Sequence, residues 1–575
     1  MSPLAIRAGA ALLFCGACAF TACSADVTPG GDANFSSADG GDAAIPADAA
    51  APSGGPRLDL GPSDPAADGG ACQPAFPIDT AHEVPAQLGA VPWVTAGAGG
   101  ALVYATDANG NHVPDFSNVG YGGGGVALPQ VAPAPGSGPL APSGGDDTAA
   151  IQAALDACGK LPQNAQGQRG AVLLGAGTFT IAGTLHVDAS GVVLRGAGED
   201  AQTGTILRAT GAARAVLTVG PAGKPSRGAH PLAHVTDAYV PVGARTLHVD
   251  DAAGLAPGTR VIVERPQTDP WICAIGMNQI PPRPDGKPIV QWSADSGLQF
   301  DRVLTAVAGT ELTLDAPLTN ALEAEYADST VWAYDFPSRL EQVGVEQLRS
   351  VAAFDVIDTT TYFNSQFIVL DAVENAWVSH VTAVAYSNAA VEIGAAAKWI
   401  TVQDSSLLQP IVPNTPALPN GFTFMGQQSL VQRCAIVGDN IWAIVTEAHV
   451  PGPNVALDIT ITGSNANVST HQRWGTGLLV DRATVGGKVS IQNRAWDGTG
   501  HGWSGANCVV WNSTATSFTV DNPVTAQNWV LGGSAPATFG TAYYSDFNTT
   551  LNPSSLFLAQ LQSRLGPSAV QAISH

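Results

Sequence analysis

The chain has 575 residues, of which only 12% are charged; 24 Lys and Arg stand against 47 Asp and Glu, a formal net charge of −23. That balance excludes nucleic acid as a partner, because phosphate binding needs clusters of Lys and Arg. A strongly anionic polymer is acceptable only where a local basic cleft outweighs the global charge.

Residues 1–23 read as an export leader: Arg7 supplies the charged region and Ala10–Ala19 the apolar one, a stretch shorter than the ~20 residues of a membrane span. Phe20-Thr21-Ala22-Cys23 resembles a bacterial lipobox, which implies lipidation of Cys23 and attachment to the bacterial envelope or cell surface through that anchor alone. Secretion after cleavage nearby is the other reading. Residues 24–70 are Ala, Gly, Pro, Ser and Asp with almost no large apolar side chain. Such a segment cannot bury enough surface to offset its ordering entropy, so it is expected to be a tether.

Residues 71–145 form an irregular entry segment with a short strand at Ala101–Ala105 and a glycine-rich loop at Gly120–Gly125. In the coils assigned to 146–231, Asp147 or Thr148 is placed to cap a helix over Ala149–Cys158, with Ile151, Leu155 and Cys158 on one face. Short strands follow between glycine turns. Residues 232–335 interrupt that rhythm with hairpin-like alternation around Gly-rich turns and are read as an inserted β module.

From 336 to 530 apolar strands recur: Trp377 to Trp399 is 22 residues, Leu430 to Val455 is 25 and Val489 to Val509 is 20. Intervals of that size, without two-residue hairpin turns, indicate solenoid rungs rather than an antiparallel sandwich. Residues 531–575 include Leu556, Leu558, Leu561 and Leu565 at helical spacing before Gly566-Pro567, a C-terminal cap or outer packing element of the last coil. The mature cysteines are scattered with no CxxC pair, which argues against zinc.

The chemistry concentrates between Ser469 and Ser513. His471, Arg473, Asp481, Asp497 and His501 are the candidate catalytic groups; Trp474, Trp496, Trp503, Arg494, Asn507 and, one rung earlier, His449 are the candidate substrate contacts. Titratable groups among indoles suit a sugar-processing cleft, with acid and base groups for chemistry and flat apolar faces for pyranose rings. Imidazole titrates near neutrality, so His471 and His501 are candidate proton carriers. Asp481 and Asp497 form the obvious carboxylate pair should the reaction be hydrolysis, with Asp404 and Asp458 as possible neighbours on earlier rungs. No cofactor is expected; calcium is the alternative, but the stretch lacks a compact acidic cluster such as DxDxD.

The opening GDDTAAIQAALDACG with AVLLGAGTFTIAGTLHV and GVVLRGAGEDAQTGTIL resembles the start of right-handed parallel β-helix proteins of the pectate lyase superfamily. GVEQLR, ENAWVSHVTAV, AKWITVQDS, VPGPNVALD, HQRWGTGLLVD and GHGWSGANCVVWN extend the likeness to exported bacterial members, over about residues 140–570. The resemblance implies an all-β solenoid with a capping helix, and a polysaccharide as partner. Arg473 is the residue type that lyases of this fold use as base or charge stabiliser. Relatives carry an Arg-His-Asp-like triplet where this chain has Ile441, Trp442 and Ala443. Three functions follow in order: polysaccharide cleavage by β-elimination, glycoside hydrolysis, and glycan binding without catalysis, in each case by a monomer.

Overall fold

The first helix, α1, runs from Thr148 to Gly159 and buries Ile151, Leu155 and Cys158, the face its spacing predicts. Its start differs from expectation. Asp147 makes no capping bond; its carboxylate accepts the amides of Ser143 and Thr180, tying the helix to the first coils. Asp146 takes over and accepts the Thr148 amide at 3.0 Å. The buried face lies in the same apolar core as Val172, Leu185 and Val192, so the helix closes the end of the coil. An open parallel coil would leave that end exposed.

The computed structural model describes residues 92–97, 101–136, 138–355, 365–412 and 418–574. The leader, the tether and Cys23 lie outside the described residues. Beyond α1 the chain winds as a right-handed parallel β-helix with three sheets. The first is carried by Gly170–Leu173, Val192–Arg195, Lys398–Gln403, Leu430–Gln432, Asn454–Leu457, Leu478–Asp481, Val509–Trp511, Trp529–Leu531 and Tyr543–Ser545. The second runs beside it from Gly177–Ile181 through Ser406–Leu408, Ala435–Val437 and Thr460–Thr462, and the long strands Gly344–Ala352 and Val373–Val384 cross both. The third has ten strands, from Leu185–Val187 to Ala537–Phe539. Every neighbouring pair in it is parallel, as the rung spacing requires.

One residue per rung makes the corner between the first and second sheets. His380, Asp404, Arg433, Asp458 and Arg482 all adopt positive φ there, between 50° and 55°. Asp and Asn tolerate that region better than most residues. Arg433 and Arg482 instead gain a partner one rung back, pairing with Asp404 and Asp458. Those two aspartates therefore belong to a structural ladder and are not neighbours of Asp497.

Residues 232–335 hold a six-stranded antiparallel sheet: Thr246–His248, Glu311–Leu314, Asp295–Ala308, Arg260–Gln267, Thr330–Ala333 and Leu232–His234, in that order. Its apolar core includes Trp271, Met277 and Trp292, and the solenoid contributes Trp474 and Ala506 to it. Beneath it, buried charges join module and coil. Asp301 meets Lys398 Nζ and Arg339 Nη1, each at 2.8 Å, and Glu374 receives Arg260 and Arg339. Cys273 is disulfide-bonded, while Cys158, Cys434 and Cys508 are buried free thiols, so its partner lies outside the described residues.

The C-terminal segment forms two helices, Leu556–Leu565 and, started rather than stopped by Pro567, Pro567–Ile573. Leu556, Phe557 and Leu561 pack on the outer side of the first sheet against Leu457, Leu479 and Trp511, each worth about 1.5–3 kcal/mol of burial.

Asp481 lies under that contact, away from the other candidate catalytic groups. Its Oδ2 accepts Ser555 Oγ at 2.7 Å and the Phe557 amide at 2.9 Å, and burial pushes its carboxyl up to about 7. The native state thus holds a proton there that the unfolded chain releases near pH ~4, and stability falls as pH rises from ~4 to ~7. Asp481→Asn is expected to remove that fall, a relative gain of up to roughly 4 kcal/mol at about pH 8. Urea unfolding at about pH 5 and about pH 8 checks it; a variant that loses as much stability as the parent between the two would sink it.

Candidate active site

Phe422, Ile444, Val468, Val489 and Phe518 are matched rung by rung in the third sheet and face the core. Alternation then turns Glu392, Thr423, Val445, Ser469, Ser490 and Thr519, also in register, outward as one column. Two positions further along the strands, Asp371, Glu447 and His471 share that outward sense. The partly exposed Asp371, Glu392, Glu447 and His471 along this face make the candidate site, and the loop 493–503 forms one end of it.

Glu447 and His471 stand on adjacent rungs, just past the pair Thr446 and Thr470. Parallel stacking brings His471 Nδ1 to 2.8 Å from Glu447 Oε2. Asn420 Nδ2 donates to Glu447 Oε1 at 3.2 Å. Burial alone would raise the Glu447 carboxyl, but the charge and bond of His471, with the bonds from Gln472 and Asn420, hold it below the ordinary value. An ionised carboxylate at Nδ1 fixes the imidazole with its base-capable nitrogen at Nε2.

The next turn is built by left-handed backbone at Arg473 (φ 47°) and Trp474 (φ 64°). Stacked amides continue the ladder outside the strands: His449 N donates to Arg473 O, and Arg473 N to His501 O. His501 is buried, its ring 4.8 Å from that of His471 at an edge-on 75°. Burial, then Arg494, His471, Arg473 and Arg283 around it, hold its pKa well below the ordinary value. A chain of net charge −23 thus gathers Arg473, Arg494 and Arg283 around His501, with Asp497 paired to Arg494 and Asp285 to Arg283. Arg494 Nη1 donates to the His471 carbonyl at 2.8 Å, its Nε lies 3.3 Å from Asp497 Oδ2, and its guanidinium sits 5.6 Å from the Trp442 ring centroid. Arg473 Nη2 reaches Thr499 Oγ1 at 3.5 Å.

The structure therefore brings together His471, Arg473, His501, Arg494 and Asp497. The aromatic expectation is overturned for Trp474: it is 2% exposed, stands edge-on to Trp271 at 4.7 Å and donates Nε1–H to Asn320. Trp503 donates to the Ile275 carbonyl, and Trp496 packs against the same core under Arg283. Asn507 is buried with Nδ2 on the Thr319 carbonyl. His449 lies beside Gln267, Trp271 and Trp474, with Asp295 3.9 Å away. All of these help dock the inserted module on the coil, and the enclosed Trp474 offers no sugar-stacking face. Docking of a 100-residue-scale insertion was invisible as a local pattern, so its anchors read as ligand contacts.

Glu447, Asn420, Glu392 and Trp442 are the site residues that sequence reasoning missed. The signal available was positional: 24 residues, one rung, separate Glu447 from His471. Among the described residues, no group of three or more His, Cys, Asp or Glu is placed to hold a metal ion, and no helix is long and apolar enough to cross a membrane.

No protein-family model matches the chain, and no curated protein does. Solved structures similar to it include the tailspike gp49 of Pseudomonas phage LKA1 (10% identity, 68% of this chain and 70% of that one, TM-score 0.28). The tailspike of E. coli bacteriophage HK620 in complex with a pentasaccharide is another (11%, 72% and 57%, 0.36), as is the endo-xylogalacturonan hydrolase of Aspergillus tubingensis (10%, 72% and 94%, 0.29). At such scores these likenesses carry no weight for function; the parallel pairing of the chain's own rungs establishes what it is, a right-handed parallel β-helix.

Proposed function

We propose that the protein cleaves a uronate-containing polysaccharide by β-elimination on the outward face of the third sheet. The observation that carries this reading is the Glu447–His471 contact of 2.8 Å beside Arg473. Elimination removes the proton next to a carboxylate, forms the C4–C5 double bond and breaks the C4–O bond to the departing sugar. His471, oriented by Glu447, is the base, and the proton it takes is the one the departing oxygen requires. Arg473 neutralises the enolate as charge builds on the substrate carboxylate. Arg494, held by Asp497, fixes the loop that carries His501 behind the base.

New ultraviolet absorbance from a conjugated alkene, on incubation with uronate polymers, tests the reading; reducing ends without that absorbance would overturn it. Hydrolysis is the second reading. One observation favours it: burial, with Glu447 and Asp371 nearby, raises the Glu392 carboxyl while that of Glu447 is lowered, an acid and a base on one face.

The reading places the protein outside the cytoplasm. The disulfide at Cys273 supports an oxidising compartment, and Cys23 is the proposed lipid attachment point. Cys23→Ser is expected to shift the protein from the membrane fraction to the soluble one; unchanged fractionation and processing would rule out the anchor.

A further inference from the structure

Charge is divided along this face. On the rungs of Ile368–Leu370, Val391–Ile393 and Ile441–Thr446 the outward face carries Asp371, Glu392 and Glu447. From the rung of Ala466–Thr470 onward it meets His471 and Arg473, with the Arg494–Asp497 pair behind them. Between Glu392 and Val445 in the outward column stands Thr423, 2% exposed, whose hydroxyl has no hydrogen-bond partner in the structure. A buried hydroxyl left without a partner costs stability unless a ligand meets it. Phe422 and Phe424 on either side point into the core, so the hydroxyl belongs to the outward side of the sheet.

Resting on the elimination reading, we infer that the two halves take different sugars: the basic half holds a uronate, and the half around Asp371, Glu392 and Thr423 holds an uncharged sugar, so that the substrate alternates the two. Glu392 is fixed by Gln366, whose Nε2 donates to its Oε2 at 2.9 Å, which leaves the other oxygen to accept from a sugar hydroxyl. A second uronate at that position would meet two or three carboxyls at close range, and like charges in a partly desolvated site repel strongly. Burial raises both the Asp371 and Glu392 carboxyls, the behaviour of groups that receive no compensating cation. Discrimination is thus built by repulsion on one half as much as by attraction on the other.

The test compares oligosaccharides of hyaluronan, in which uronate and N-acetylhexosamine alternate, with those of polygalacturonate, a uronate at every position. Binding is measured calorimetrically to the His471→Ala protein, so the readout does not depend on turnover. The hyaluronan oligomer is expected to bind at least about tenfold more tightly, and Asp371→Asn with Glu392→Gln added is expected to narrow that ratio by improving polygalacturonate binding. Equal binding of the two, absence of binding included, or a ratio unmoved by the added substitutions would overturn the division. Alkene formation by the parent protein is followed separately: its absence from every polymer overturns elimination, whatever the binding ratio shows.

Discussion

His471→Ala is expected to lower the rate of unsaturated-product formation by about 10²–10⁴, the usual contribution of a positioned general base. The ring is only partly exposed and its partner Glu447 is held by Asn420 as well, so the fold should survive the change. Glu447→Gln keeps the shape but cannot fix the imidazole tautomer, and an intermediate loss is expected. Arg473→Ala should cost ~100-fold or more in kcat where its charge meets the growing enolate, with a further rise in KM because the uronate carboxylate is already anionic in the bound substrate. Steady-state kinetics on a uronate polymer separate the cases. A His471→Ala protein with parental turnover would remove the catalytic assignment altogether.

Asp301→Ala is expected to destabilise the protein by about 3–5 kcal/mol, since it leaves Lys398 and Arg339 buried without their shared counter-charge. Both cations are almost fully enclosed, and the Tyr334 hydroxyl also bonds to the carboxylate at 3.0 Å. Burial would raise the Asp301 carboxyl, but Lys398 and Arg339 hold it far below the ordinary aspartate value. The sign follows: the native state keeps this group ionised where the unfolded chain binds a proton, so its contribution is present above pH ~4 and is lost as pH falls toward the folded value. Denaturant unfolding of parent and variant at about pH 7 measures the difference. A loss below about 1 kcal/mol would mean the node is hydrated and carries little of the module's docking.

These two outcomes separate what local pattern contains from what it omits. Apolar strand runs at rung-length intervals made the solenoid legible, because stacked parallel strands need the same inward alternation on every turn. The α1 face of Ile151, Leu155 and Cys158 was legible for a similar reason, as was the helix at Leu556–Leu565. His471 and Arg473 stood out because charged residues are scarce in this chain. Asp481 stood out equally and proved to be a helix anchor; nothing within ten residues of it reveals Ser555 or Phe557.

By itself, the sequence determined the parallel coil, its capping helix and the position of the inserted module, all of which follow from short-range hydrophobic alternation and turn residues. Only the tertiary structure decided which side chains face one another. It placed Glu447 against His471 through rung register, turned Trp474, Trp496 and Trp503 into anchors for the inserted module, and set Glu374 opposite Arg260. The physical reason is range. Alternation is written in neighbouring residues, whereas a groove is assembled from positions a rung or more apart, and the buried charges of the module find their partners over more than 90 residues of chain.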